Sequence, residues 1–169
     1  MDHQINPRLN YARYPYQQIT NREIEQLGLP WFMRDDLPSV MSQGSYVYNL
    51  DGKNGDGTHW TCFCLKSPNI YYVDPFGTDQ PKGKPPTELR TWGKQHGYQM
   101  IVANEECFQH LESWLCGHYS CYFAIKMNKY FQQLTPRNFD RIVQKGITKY
   151  PSDQNVQLIT QWAKKKGIL

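Results

Sequence analysis

The sequence predicts an α+β fold, a small mixed sheet flanked by helices, and three observations carry that reading. Between Ser45 and Asp74, the segments SYVYNL, HWTCFCLK and IYYVD are rich in β-branched and aromatic residues and are separated by clusters of Gly, Asn, Asp, Ser and Pro. Short runs of this composition bounded by turn residues read as strands. From Cys116 onward, Cys116, Tyr119, Phe123, Met127 and Tyr130 recur at helical spacing, which gives a helix with one apolar face. A length of 169 residues is enough for one domain with a core and not comfortably for two, so residues 1–169 are read as a single domain.

Each element follows from local signals. Residues 1–18 are rich in Tyr, Pro, Asn and Gln without a period and read as an extended arm. Thr20 or Asn21 is an N-cap for a short helix that ends at Gly28, with Pro30 beyond it. Trp31-Phe32-Met33 is a short apolar patch, and residues 34–38 form a loop. Ser45–Leu50 is a strand, and DGKNGDGT (51–58) is a turn-rich loop. His59–Lys66 is a second strand, with His59, Thr61, Phe63 and Leu65 on one face and Trp60, Cys62 and Cys64 on the other. After the turn Ser67-Pro68-Asn69, Ile70–Asp74 is a third strand, antiparallel to the second. Residues 78–88 form a Pro/Gly/Lys loop, Glu88–Gly97 a helix and Gln99–Ala103 a fourth strand. Three helices close the chain: Cys116 to about Tyr130, Pro136–Lys145, and one capped by Ser152 or Asp153 that runs to about Lys166.

Composition narrows the function. No apolar run approaches the roughly 20 residues of a membrane helix, so no membrane partner is expected. The polar start MDHQINPRLN is no signal peptide, and five cysteines make an odd count, which argues for a reducing compartment rather than a disulfide framework. A protein that is not secreted, acting in the nucleus or cytoplasm, is the expectation. The net charge of +4 is mild, and part of it is Lys164-Lys165-Lys166, which reads first as a solvated helix end. A nucleic-acid-binding module is therefore the least favoured class, because the aromatics alternate as in core strands rather than cluster with basic residues. Cys62-x-Cys64 lacks the spacing of a zinc finger and no second pair follows, so no metal is expected.

Chemistry concentrates on four residues. Cys116 would open a helix, where the dipole favours a thiolate. His59 and Asp74, 15 residues apart, lie on neighbouring strands where adjacent ends are about 5 Å apart. An imidazole there can take a thiol proton, and a carboxylate can orient it. Gln109, seven residues before Cys116, can donate a side-chain N–H to an oxyanion, beside the backbone N–H of Cys116. Taken singly, each has a plainer role: a structural histidine, a turn-starting aspartate, a surface glutamine, a small buried cysteine. Their occurrence together, in a workable order, favours a cysteine hydrolase.

The set Gly57-Thr58-His59-Trp60, Tyr72-Val73-Asp74-Pro75-Phe76-Gly77 and Gln109 with Cys116-Gly117 resembles the adenain superfamily over about residues 45–130. These are adenovirus-type maturation proteases, with relatives in Maverick/Polinton elements, adintoviruses and virophages, and the SUMO-specific proteases as distant cousins. The resemblance implies a papain-like fold in permuted order. It implies His59 as base, Asp74 as its orienter, Gln109 as oxyanion donor, Cys116 as nucleophile and Trp60 packed beside the site as a groove wall. The acid is Glu in the adenovirus enzymes and Asp here, as in the SUMO-protease branch. The adenovirus enzymes are activated by a cysteine-bearing peptide and by DNA. Where their partner thiol is placed this chain has Tyr98, and the nearest thiol, Cys107, is not aligned with it.

The resulting expectation is a cysteine endopeptidase of viral or mobile-element type that processes virion precursor proteins and resides in the host cell or the virion. It needs no cofactor for its chemistry, with DNA or a peptide as candidate activators. An isopeptidase acting on a SUMO- or ubiquitin-like modifier is the alternative.

Overall fold

A computed structural model describes residues 18–55, 59–78, 84–109, 114–148 and 151–169. The expected N-terminal arm lies outside the described residues except for Gln18, as do Gly57 and Thr58 of the Gly-Thr-His-Trp sequence.

The chain enters through α1 (Asn21–Gln26), whose start is fixed by a capping box. The Thr20 hydroxyl accepts from the Glu23 N–H at 3.2 Å, and the Thr20 N–H donates back to the Glu23 carboxylate at 3.0 Å. The strands are β1 (Trp31–Met33), β2 (Gly44–Asn49), β3 (Trp60–Lys66), β4 (Asn69–Val73) and β5 (Met100–Ala103). They form one sheet in sequence order. β2, β3 and β4 are antiparallel, while β1 pairs with β2 and β5 with β4 in parallel. The sheet is therefore mixed, and the patch Trp31–Met33 is its first strand rather than a loose apolar stretch. Between β4 and β5 runs α2 (Thr87–Gln95). The chain ends with α3 (Cys116–Lys129), a short 3₁₀ turn (Phe131–Gln133), α4 (Phe139–Gln144) and α5 (Asp153–Lys165).

Both faces of the central strands are buried, which explains why HWTCFCLK carries apolar residues at nearly every position. Trp60, Cys62, Cys64, Tyr71 and Val73 face α3, α4 and α5 through Tyr119, Phe123, Met127, Phe139 and Ile159. On the other side, Phe63, Leu65, Ile70 and Tyr72 pack with Leu89 and Trp92 of α2. The alternation read for β3 thus sorts its residues correctly, with helices covering each face.

The helix expected from Pro136 begins only at Phe139. The Asn138 N–H donates to the Thr135 hydroxyl at 3.1 Å and the Asn138 amide to the Gln133 carbonyl at 3.1 Å, so local side-chain bonds hold residues 136–138 as a turn. α3 and α4 are tied by Lys126, whose buried ammonium donates to the carbonyls of Val143 and Lys145. Burial, aided by the nearby charge of Lys145, lowers its pKa to about 7. Among the described residues, no helix is long and apolar enough to cross a membrane.

Candidate active site

The hairpin of β3 and β4 brings His59 and Asp74 to one end of the sheet. Cys62 pairs with Val73, so the register carried on puts Asp74 opposite Thr61 and His59 opposite Phe76, a two-residue offset that the side chains of His59 and Asp74 span. Leu50 N–H donates to the His59 carbonyl at 2.9 Å and holds that end against β2. The His59 Nε2 lies 2.7 Å from Asp74 Oδ1. A carboxylate only accepts, so in the neutral ring Nε2 carries the proton and Nδ1 has the lone pair that takes a second one.

The turn Asp74-Pro75-Phe76-Gly77 completes the acid. Phe76 N–H donates to Asp74 Oδ1 at 2.9 Å, and Gly77 N–H to the Asp74 carbonyl at 2.9 Å. Gly77 has φ 85°, and a Cβ there would sit 2.7 Å from the Glu105 carbonyl oxygen, so only glycine fits. Phe76 stacks flat on the imidazole, with ring centroids 4.5 Å apart and planes 12° apart. One side of the histidine is therefore dry.

Cys116 is the first residue of α3, the helix end that favours negative charge, and it is half-buried. His59 Nδ1 is buried and forms no closed hydrogen bond. The Cys116 sulfur nevertheless lies near enough to the ring to favour its cation. Burial, the largest single influence, disfavours that cation. The hydrogen bond to Asp74, the nearby Cys116 sulfur and the negative charge of both outweigh it and raise the pKa from 6.5 to about 9. Three groups are thus arranged as carboxylate, imidazole and thiol in sequence.

Gln109 is fully buried, so it is not a surface glutamine. Its N–H and that of Phe108 donate to the Pro75 carbonyl at 3.1 and 2.8 Å, which pins the Gln109 segment to the turn that carries the acid. Cys107 donates its S–H to the Gln109 carbonyl at 2.8 Å. The other three cysteines are core residues: burial raises the thiol pKa of Cys64 to about 11 and pushes those of Cys62 and Cys121 up as well.

Trp60 packs edge-on to Trp31 at 6.1 Å, and its carbonyl accepts from the Ser120 hydroxyl on α3 at 2.9 Å. It borders a cavity of about 410 Å³ that is also lined by Ile19, Trp31, Met33 and Lys53. Gly117 is explained by packing: a Cβ there would lie 2.0 Å from the Ile19 methyl and 3.0 Å from the Trp60 ring. A glycine inside a helix costs about 1 kcal/mol relative to alanine, which this close approach requires.

Sequence reasoning missed Phe76, Trp31 and Asn104. The Asp-Pro-Phe-Gly turn was the available signal for Phe76. Asn104, at the end of β5, offered none beyond its residue type; its side chain bonds the backbone of Asp74.

No family model and no curated protein matches the chain. Solved structures do. A crystal structure of the ASFV pS273R protease is 16% identical with a TM-score of 0.52, over 88% of this chain and 68% of that one. A selenomethionine crystal structure of the ASFV pS273R protease is 17% identical with a TM-score of 0.42, over 69% of this chain and 42% of that one. AvrA delL154 with IP6 and CoA is 18% identical with a TM-score of 0.42, over 79% of this chain and 56% of that one. The chain thus spans between 42% and 68% of the length of these proteins. The first of these likenesses shows that the α+β fold is like that of this protease.

Proposed function

We propose that the protein is a cysteine endopeptidase of the adenain type, viral or mobile-element in origin, which processes virion precursor proteins inside the host cell or the virion. The observation that carries this reading is the 2.7 Å contact of His59 with Asp74, with the Cys116 sulfur near enough to the ring to favour its cation.

The chemistry follows from these groups. His59 Nδ1 takes the Cys116 proton, and the thiolate adds to the scissile carbonyl carbon. The resulting oxyanion is met by the Gln109 amide and the Cys116 backbone N–H. The amine leaves with the proton held by His59, and a thioester remains on Cys116. Water, giving a proton to His59, then releases the acid and restores the thiol. Asp74 keeps the imidazole in the tautomer these steps need and stabilises its cation.

Trp60 is the proposed groove wall beside the scissile bond. Trp114, two residues before Cys116, is 50% exposed, and an exposed aromatic so near the nucleophile supports a second contact for substrate. Aromatic walls favour small residues, glycine above all, next to the cut.

The test is to incubate the purified protein with a peptide library, with and without DNA, and to map the cuts. A ubiquitin-like fusion joined through Gly-Gly is a parallel arm. Cuts beside small residues that disappear in Cys116→Ala support the endopeptidase; cleavage of the fusion alone transfers the reading to an isopeptidase. Stimulation by DNA, or by an added viral peptide, identifies the activator. An intact, alkylatable Cys116 with no cleavage in any arm overturns the reading.

A further inference from the structure

We infer that Asn104 is a positioning residue that holds the Asp74 carboxylate and the Gln109 segment in one register, a role that rests on the peptidase reading of the site. β4 and β5 run parallel, with Tyr72 opposite Ala103, and the last ladder bond runs from Asn104 N–H to the Tyr72 carbonyl at 3.4 Å. A continued parallel ladder would give the Asp74 N–H to the Asn104 carbonyl, and the Asp74 carbonyl to the N–H of residue 106. Neither bond is made. The Asn104 carbonyl is taken by Thr78, through its N–H at 3.1 Å and its hydroxyl.

The Asn104 carboxamide replaces both bonds. Its Oδ1 accepts from the Asp74 N–H at 2.9 Å, and its Nδ2 donates to the Asp74 carbonyl at 2.7 Å. The second Nδ2 proton goes to the Glu106 carbonyl at 2.9 Å. Every donor of the amide is used, and the residue is 2% exposed. Reversing the amide would oppose donor to donor at Asp74 and acceptor to acceptors at Asp74 and Glu106, so the orientation is fixed by its partners.

The consequence is geometric. The strand ladder would carry residues 104–106 straight on, whereas the Gln109 segment must fold back to the Pro75 carbonyl. The side chain lets the backbone leave the sheet while Asp74 stays held as though the sheet continued. One residue therefore sets both the acid that orients His59 and the start of the segment that delivers Gln109. It touches neither substrate nor the reacting atoms.

The experiment follows the His59 ring by NMR across pH in wild type and Asn104→Ala, beside Cys116 alkylation and peptide turnover. In a folded Asn104→Ala the imidazole should titrate at lower pH than in wild type, because Asp74 is no longer held against it. Turnover should fall about a hundredfold with little change in KM. Asn104→Ser keeps one short polar group and should show the same downward shift in smaller measure. A folded variant with the wild-type imidazole titration overturns the proposal. So does failure of both variants to fold while Asp74→Ala folds, which makes Asn104 a stability residue only. The NMR titration needs no substrate, so a wild-type protein that cleaves nothing overturns the peptidase reading while the Asn104 shift is still read.

Discussion

Phe76 lies flat on the His59 ring, 4.5 Å between centroids, while its own N–H donates to the carboxylate that His59 also bonds. One residue thus covers the imidazole with its ring and steadies the acid with its backbone. The two contributions are separable, because a side-chain substitution leaves the N–H in place.

Phe76→Ala should therefore keep the Asp74 turn and lose the apolar cover of His59. The stacking contact is worth about 1 kcal/mol, and turnover should fall about tenfold as the ring gains freedom. Phe76→Leu retains apolar cover and should lose less. Steady-state kinetics with a thermal melt on both variants checks this; equal rates for Ala, Leu and wild type would leave the ring contact without consequence.

Cys116 should react first among the five cysteines with a thiol-directed peptide electrophile. Cys62, Cys64 and Cys121 are buried, and burial raises their thiol pKa values. Cys107 is the competitor, half-buried and bonded to the Gln109 carbonyl. Mass spectrometry of the labelled protein decides, and preferential loss of activity with Cys107 labelling would move the nucleophile. Cys116→Ala should abolish turnover and leave the melting temperature nearly unchanged.

The sequence carried the hairpin well, because β3 and β4 are joined by a two-residue turn, Ser67-Pro68, and their pairing is local. That locality is why the spacing of His59 and Asp74 translated into a contact. β1 was illegible for the opposite reason: three residues are too few to show a period, and their parallel partner Val47–Asn49 lies beyond a loop. The start of α4 was misread because Pro136 fits a helix N-terminus, while the bonds from Asn138 that delay it depend on a local fold. Gln109 was legible as a residue type at a spacing, but its complete burial was not. Asn104 stayed hidden because it replaces a ladder that sequence cannot show to be broken.

Gln109→Ala should lower kcat by about a hundredfold or more with little change in KM, since one oxyanion donor is worth about 3 kcal/mol in the transition state alone. Gln109→Glu should be at least as harmful, because it puts negative charge where negative charge develops. Alkylation of Cys116 should persist in both, in contrast to His59→Ala, which should lose alkylation and turnover together. Unchanged turnover in Gln109→Ala would remove the residue from the site and leave it a buried packing group.

The pH dependence tests the His59–Asp74 pair most directly. The folded pKa of His59 is about 9, above its unfolded value of 6.5, so the ring binds its proton more tightly in the native state. Its stabilising contribution is complete below about pH 6.5 and is lost as pH rises through about 9. Chemical denaturation of wild type should thus show stability falling across that window, and Asp74→Asn should flatten the fall. Activity follows the same group by another route. Above about pH 9 the neutral ring has no proton to give the leaving amine, so turnover should decline there while the thiolate continues to be alkylated. In Asp74→Asn the hydrogen-bonded carboxylate is gone, and the alkaline limb of turnover should move to lower pH. The rate at its optimum should drop on the order of a hundred- to ten-thousandfold, because an amide there can either donate to the ring nitrogen or accept from it, so it no longer fixes the tautomer, and it carries no charge to stabilise the cation. Asp74→Glu should recover part of both effects, since it restores the charge on a longer arm. An Asn variant with the wild-type alkaline limb and rate would show that another group orients the imidazole.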